Sequence, residues 1–191
     1  MSNYKHNENV GNELIIVISG PGGVGKGTIV RELLQLDSKI LVSRSWTTRE
    51  PRSDDDAKAY VFVEEDEFLS HKLNNGSIEW NEFLGSMYGT PVPENINSQD
   101  LILEIDVAGG RQVSEKYSGA VLIFLDIDNQ ELRRRLSVRG DKPQRIEERL
   151  TEAIRERKEA LELNYQVVIN NDLSKAVTEI TEIIDKARLK T

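Results

Sequence analysis

Between a continuous apolar run, Leu14-Ile15-Ile16-Val17-Ile18-Ser19, and a helix-patterned stretch, Thr28 to Leu36, the chain places Gly20-Pro21-Gly22-Gly23-Val24-Gly25-Lys26-Gly27-Thr28. Few folds put a buried strand, a glycine-rich loop ending in lysine and a helix in that order. The order is the setting of a phosphate-binding loop. Glycines let successive backbone N–H groups curl around an anion. The helix N-terminus adds partial positive charge. Lys26 adds a full charge, placed for the outer phosphates of a nucleoside triphosphate. Such loops usually carry a serine or threonine directly after the lysine as a Mg²⁺ ligand. Here Gly27 holds that position and Thr28 follows, so no protein ligand of a metal is assigned, with Thr28 and Glu104 as the possible ones.

At 191 residues, with 38% hydrophobic and 30% charged, the chain suits one soluble domain that has small inserted lobes. It has no cysteine, which excludes a disulfide framework, thiolate metal sites and a thiol nucleophile, and which fits a reducing cytoplasm. Its two histidines, His6 and His71, read as solvated rather than catalytic. A net charge of −8 argues against a general nucleic-acid surface. No apolar run suits a membrane span. Met1 to Asn12 lacks the apolar segment of a secretory signal, and residues 1–12 read as a flexible tail. Positive charge is nevertheless clustered, at Arg44, Arg49 and Arg52 and again from Arg133 to Arg149. That pattern in an acidic chain points to a small anionic ligand held in a cleft.

Short apolar runs recur at Ile40–Val42, Leu101–Ile105, Val121–Ile127 and Val167–Ile169. Helical patterns fall between them, at Gly109–Tyr117, Asn129–Val138, Pro143–Leu163 and Leu173–Arg188. This alternation predicts a parallel α/β sheet covered on both faces. In the helix after Pro143 the apolar face is expected to hold Ile146, Leu150, Ala153, Ile154, Ala160 and Leu161. Residues 46–93 break the rhythm and read as an inserted α+β lobe. There Ile78 and Trp80 alternate with polar neighbours as in a half-exposed sheet. The core is then 13–45 plus 94–191, and the basic segment 138–149 around Arg139-Gly140 reads as a lid.

Ser45-Trp46-Thr47-Thr48-Arg49-Glu50-Pro51-Arg52 follows the second strand, and Glu79-Trp80, Tyr88-Gly89-Thr90-Pro91, Glu104-Ile105-Asp106 and Arg139-Gly140 come later. Together with the loop, these motifs resemble the guanylate kinases over nearly the whole chain. The resemblance implies a three-layer α/β/α P-loop fold with a small GMP-binding lobe and a short lid. It also implies transfer of the γ-phosphoryl group of ATP to GMP with Mg²⁺, GMP extending to dGMP as a possible acceptor. Laid on matching positions, the family's roles give Arg49, Arg52, Tyr60 and Tyr88 to the GMP phosphate. They give Ser45, Glu79, Thr90 and Asp106 to guanine, and Asn170 to the adenine side. Lys26, Arg49, Arg139 and Arg149 become the catalytic cations, with Arg145 competing for the place of Arg149. Four departures stand out: Gly22 replaces the family's usual Ser, the stretch between Arg52 and Tyr60 and the lid are each one residue short, and Ala108 replaces the usual Gln.

The chemistry suits these residues. The second pKa of a phosphate monoester is about 6, so the attacking oxygen needs no general base near neutral pH. The demand is electrostatic: two polyanions must meet while charge redistributes over the moving phosphoryl group. Guanidinium forks match phosphate oxygens. An ionised Glu79 can accept from guanine N1–H and N2–H, whereas adenine offers an unprotonated N1. Tyr60 also reads as ordinary sheet packing, and Trp80 as lobe packing. Two other readings remain: a P-loop kinase acting on another small phosphorylated substrate, and a non-catalytic interaction module of the same fold.

Overall fold

The computed structural model describes residues 13–51, 60–75, 77–83, 85–91 and 99–190. Its central sheet is built from β1 (Ile15–Ser19), β2 (Ile40–Val42), β7 (Asp100–Glu104), β8 (Val121–Asp126) and β9 (Gln166–Ile169), in the order β2-β7-β1-β8-β9. Every pairing in it is parallel. β1 is central and buried along its whole length, which is why it reads as an unbroken apolar run.

The two-residue alternation of β1 divides the core between the sheet faces. Ile16 and Ile18 join the layer formed by α1 (Lys26–Leu36), α4 (Asn129–Val138), the start of α5 (Pro143–Glu162) and α6 (Leu173–Arg188). Ile15 and Val17 join the layer formed by α3 (Val107–Lys116), Phe124, Ala160 and Tyr165. Helices therefore cover both faces of the sheet, as expected. The strands and helices fall where the sequence places them to within about two residues, the ordinary uncertainty of element ends.

A second sheet orders β4 (Tyr60–Phe62), β3 (Ser45–Thr47), β6 (Ser86–Pro91) and β5 (Ser77–Phe83) as β4-β3-β6-β5. β3 runs parallel to β4 and antiparallel to β6, which is antiparallel to β5. α2 (Glu65–Asn75) lies against this sheet, with Phe68 buried beside Gly89. His71, expected in solvent, is half-buried and stacks on Trp46 with ring centroids 4.1 Å apart. The simple alternation expected for β5 does not hold, because Ile78 and Glu79 are both buried while Trp80 is 39% exposed beneath the Lys72 ammonium. Glu79 breaks the pattern because its side of the strand faces the cleft rather than solvent.

The apolar face of α5 also differs from the expected one. Ile154 and Leu161 are 60% and 69% exposed. Arg149 and Glu156 take buried places beside Ile146, Leu150, Ala153 and Ala160. Two charged residues thus sit in the inward stripe of this helix. Each is directed into the cleft between the two sheets.

Candidate active site

The loop after β1 ends in α1, whose N-cap Gly25 has left-handed backbone at φ 102°. Lys26 is the first helical residue, two positions earlier than the helical pattern suggests, and its ammonium donates to Gly20 O at 2.6 Å. Beneath the loop the hydroxyls of Ser19 and Tyr165 are 3.1 Å apart. On its far side Asn170, buried, donates from Nδ2 to Val24 O at 2.8 Å. Arg135 donates to the same carbonyl and to Asn170 O, both at 2.9 Å. The loop conformation is therefore held by side chains of α4 and of the segment after β9.

A cleft opens between the loop and the second sheet. Gly20, Gly22, Lys26, Ser45, Arg49, Tyr60, Glu79, Tyr88, Glu104, Asp106 and Arg149 line it, together with Ile105 and Glu156. Among the described residues the charged lining comprises the cations Lys26, Arg49 and Arg149 and the carboxylates Glu79, Glu104, Asp106 and Glu156. The cleft is thus bipolar rather than simply basic. That suits a ligand pair in which phosphates meet cations and a hydrogen-bond-donating base meets carboxylates.

Glu79 is 2% exposed, and its Oε1 accepts from the Thr90 hydroxyl at 2.6 Å. The Ser45 and Thr90 hydroxyls are 3.3 Å apart, so the three residues form a buried polar chain. Burial pushes the Glu79 carboxyl up to about 7; the Thr90 hydrogen bond opposes the rise and the nearby Asp106 charge adds to it. Asp106 lies just past β7 as the N-cap of α3, accepting the Gly109 N–H at 2.7 Å.

Arg49 is buried, its guanidinium over the rings of Tyr60 and Phe62 at 5.0 and 5.3 Å, with Nη1 donating to Glu50 O at 2.7 Å. Tyr60 therefore both packs in the sheet and lines the cleft. Arg149, 7% exposed, reaches the loop, where its guanidinium lies against Gly22. Arg145, its competitor in the sequence, lies away from the cleft lining and pairs with Glu148 at 2.9 Å.

Arg139 also stands outside the cleft lining, in the short turn between α4 and α5. It donates through Nε and Nη2 to both oxygens of Asp141 at 3.0 and 2.6 Å. Asp141 is also ion-paired with Arg149 at 3.0 Å, so one carboxylate serves two arginines. Thr28 is exposed on α1, outside the lining. Arg52 lies outside the described residues.

Glu156, Asp141 and Asn81 take part in this site without having been singled out in the sequence. Glu156 is 4% exposed; burial pushes its carboxyl up to about 7, partly offset by Lys26 and reinforced by Asp106. The available signal was its spacing, seven residues after Arg149 on the inward stripe of an amphipathic helix. For a divalent cation, the Glu104 carboxylate stands over Gly27, its oxygens 3.6 and 3.9 Å from where a Cβ would be. One carboxylate beside a phosphate loop suits Mg²⁺, which keeps several waters and takes its other ligands from substrate phosphates.

Residues 12–187 match the family model of guanylate kinase. The chain is 42% identical to the guanylate kinase of Deinococcus radiodurans over 182 residues, covering 91% of this chain and 75% of that one. It is 41% identical to that of Symbiobacterium thermophilum, covering 92% of this chain and 87% of the relative. The crystal structure of guanylate kinase from Anaplasma phagocytophilum superposes with a TM-score of 0.76 at 29% identity, covering 94% and 88% of the two chains.

Proposed function

The chain belongs to the guanylate kinase family, and on that premise we propose that it transfers the γ-phosphoryl group of ATP to GMP, giving ADP and GDP. The observation that carries this reading is the shared cleft. A buried carboxylate bonded to a threonine faces the same space as a phosphate loop and its lysine.

In this reading Glu79, Thr90, Ser45 and Asp106 select guanine. A carboxylate buried beside a hydroxyl donor matches the N1–H, N2–H and O6 edge of that base, and leaves adenine with an unsatisfied partner. Sites of this kind discriminate by about 10⁴ or more. Arg49, Arg52, Tyr60 and Tyr88 hold the GMP phosphate. Gly20 to Thr28 hold the ATP phosphates, and Asn170 flanks the adenine side. Lys26 and Arg149 face the cleft from the donor side, so they stabilise the charge that shifts as the phosphoryl group moves. Arg139 acts with Arg149 through the Asp141 carboxylate that both engage. Residues 46–93 form the GMP lobe and 138–149 the lid, which together exclude water.

Glu104 would hold Mg²⁺ through its hydrated shell, beside Gly27. The ion, when bound with ATP, supplies further neutralisation of the phosphate oxygens. The partners in this reading are small nucleotides, with no nucleic acid or membrane. No helix among the described residues is long and apolar enough to cross a membrane. A cysteine-free chain fits the cytoplasm, the compartment assigned here.

The test is a phosphoryl-transfer assay with ATP and GMP, dGMP, AMP, CMP or UMP as acceptor. GMP should exceed AMP by at least a thousandfold in kcat/KM. Efficient AMP use with negligible GMP use would overturn the assignment.

A further inference from the structure

We infer that Asn81 is a positioning residue for guanine selection, its carboxamide holding the Asp106 carboxylate beside Glu79 so that both acids face the purine. This rests on the GMP reading above and extends it to a residue on β5 with no assigned role.

Both oxygens of Asp106 have a donor. Oδ1 accepts the Gly109 N–H at 2.7 Å, and Oδ2 accepts from Asn81 Nδ2 at 2.8 Å. Two donors on different oxygens fix the plane of the carboxylate, which one donor alone leaves free to turn. Asn81 lies two residues after Glu79, so both project from the same face of β5. Across the strand pair Glu79 stands opposite Thr90, and Asn81 opposite Tyr88, another cleft residue. The bond therefore joins the strand carrying one acid to the helix cap that is the other.

The two carriers are fastened to each other independently. Gln112 on α3 donates to Trp80 O at 2.5 Å and accepts the Trp80 N–H at 3.3 Å. Lys116 donates to Ile78 O at 2.6 Å. With β5 and α3 in fixed register, the remaining freedom at Asp106 is rotation of its own side chain, which Asn81 removes.

The need for a neutral donor follows from the charges. Asp106 and Glu79 repel, and the Asp106 charge contributes to the raised protonation range of Glu79. An apolar residue at position 81 would leave Asp106 Oδ2 without this donor. An acid there would set a third carboxylate against the pair. Guanine meets two acids with its N1–H and 2-amino donors; inosine monophosphate lacks the 2-amino group and so loses one partner.

The experiment compares the whole protein with Asn81→Ala and the isosteric Asn81→Asp. KM and kcat are measured for GMP, IMP and ATP, and thermal unfolding is recorded in parallel. Loss of a charge-assisted bond predicts a KM for GMP raised about tenfold in Asn81→Ala, with KM for ATP unchanged and a narrowed preference for GMP over IMP. Asn81→Asp should lose at least as much, and it carries the test if the alanine variant does not fold. In an Asp106→Ala background Asn81→Ala should cost nothing further. An unchanged KM for GMP, a parallel rise for GMP and ATP, or additive losses in the double variant would overturn the inference. A wild-type protein that ignores GMP would instead overturn the reading beneath it.

Discussion

The guanidinium of Arg149 fills the space that a side chain on Gly22 would need. A Cβ built on Gly22 collides with Arg149 Nη1, so the glycine in the loop and the arginine on α5 fit each other. The serine usual at this position in the family would compete with the arginine for the same volume.

Gly22→Ser should therefore displace Arg149 from the loop. We expect kcat to fall about tenfold or more, the size of loss seen when one charged contact to a transition state is removed, while KM for GMP changes little. Steady-state kinetics check this. In an Arg149→Ala background the serine should have no further effect, since the collision is gone.

In the proposed reading Glu79 should make GMP use pH-dependent, because its carboxyl, raised to about 7, would have to ionise to accept from guanine. The kcat/KM for GMP should rise between pH 6 and 8. In Glu79→Gln the rise should shrink to that from the GMP phosphate itself, whose second pKa is about 6. Stability of the free protein runs the other way. Below the ordinary carboxylate value of 4.5 both folded and unfolded states hold the proton. Between 4.5 and about 7 the unfolded chain ionises while buried Glu79 and Glu156 stay protonated. Unfolding free energy then falls with rising pH across that window and levels above it. Denaturant titrations of Glu79→Gln and Glu156→Gln should each show a shallower fall.

Asp141→Asn should uncouple the two arginines that share it. Its oxygens lie 2.6 Å from Arg139 and 3.0 Å from Arg149. With the shared charge gone, both guanidinium groups lose their common anchor, and kcat should drop several-fold while GMP affinity is retained. Asp141→Glu should recover part of the rate. Arg149→Ala should cost more rate than Arg139→Ala, because Arg149 lines the cleft.

Arg188 provides a contrast that leaves catalysis alone. Near the C-terminal end of α6 it pairs with Asp37 and Asp100 at 2.7 Å each and with Asp185 at 3.1 Å. Asp100 also accepts the Leu14 N–H at 2.8 Å, so the cluster ties the last helix to the starts of β1, β2 and β7. Arg188→Ala should cost about 2 kcal/mol, since it leaves part-buried carboxylates without their cation. That is a drop of roughly 4–8 °C in Tm for a chain of this size. Calorimetry and an unchanged KM for both nucleotides check it.

The elements most readable from sequence were those in which one physical demand governs every residue. β1 is buried on both faces, and its apolar run shows it. The loop from Gly20 to Thr28 is spelled by its backbone requirements. Positions answering two demands were hidden. Arg149 and Glu156 interrupt the apolar stripe of α5 because that helix both packs on the core and faces the cleft, while Ile154 and Leu161, apolar by type, lie in solvent. Glu79 spoils the alternation of β5 for the same reason. The partners Asp141 and Asn81 carried no spacing signal, since each acts on a residue that only the folded chain brings close. Arg139, matched by motif alone, stands outside the cleft lining because its guanidinium turns toward Asp141.

Gln112 and Lys116 stitch the strand bearing Glu79 to α3, at one border of the second sheet, while Tyr60 lies on the strand at the opposite border. Any swing of that sheet about the stitched border carries Tyr60, with Arg49 stacked on it, through a wide arc and leaves Glu79 almost still. In the proposed reading the purine would be read at the pivot and its phosphate at the rim, so recognition of the base would not depend on any such swing.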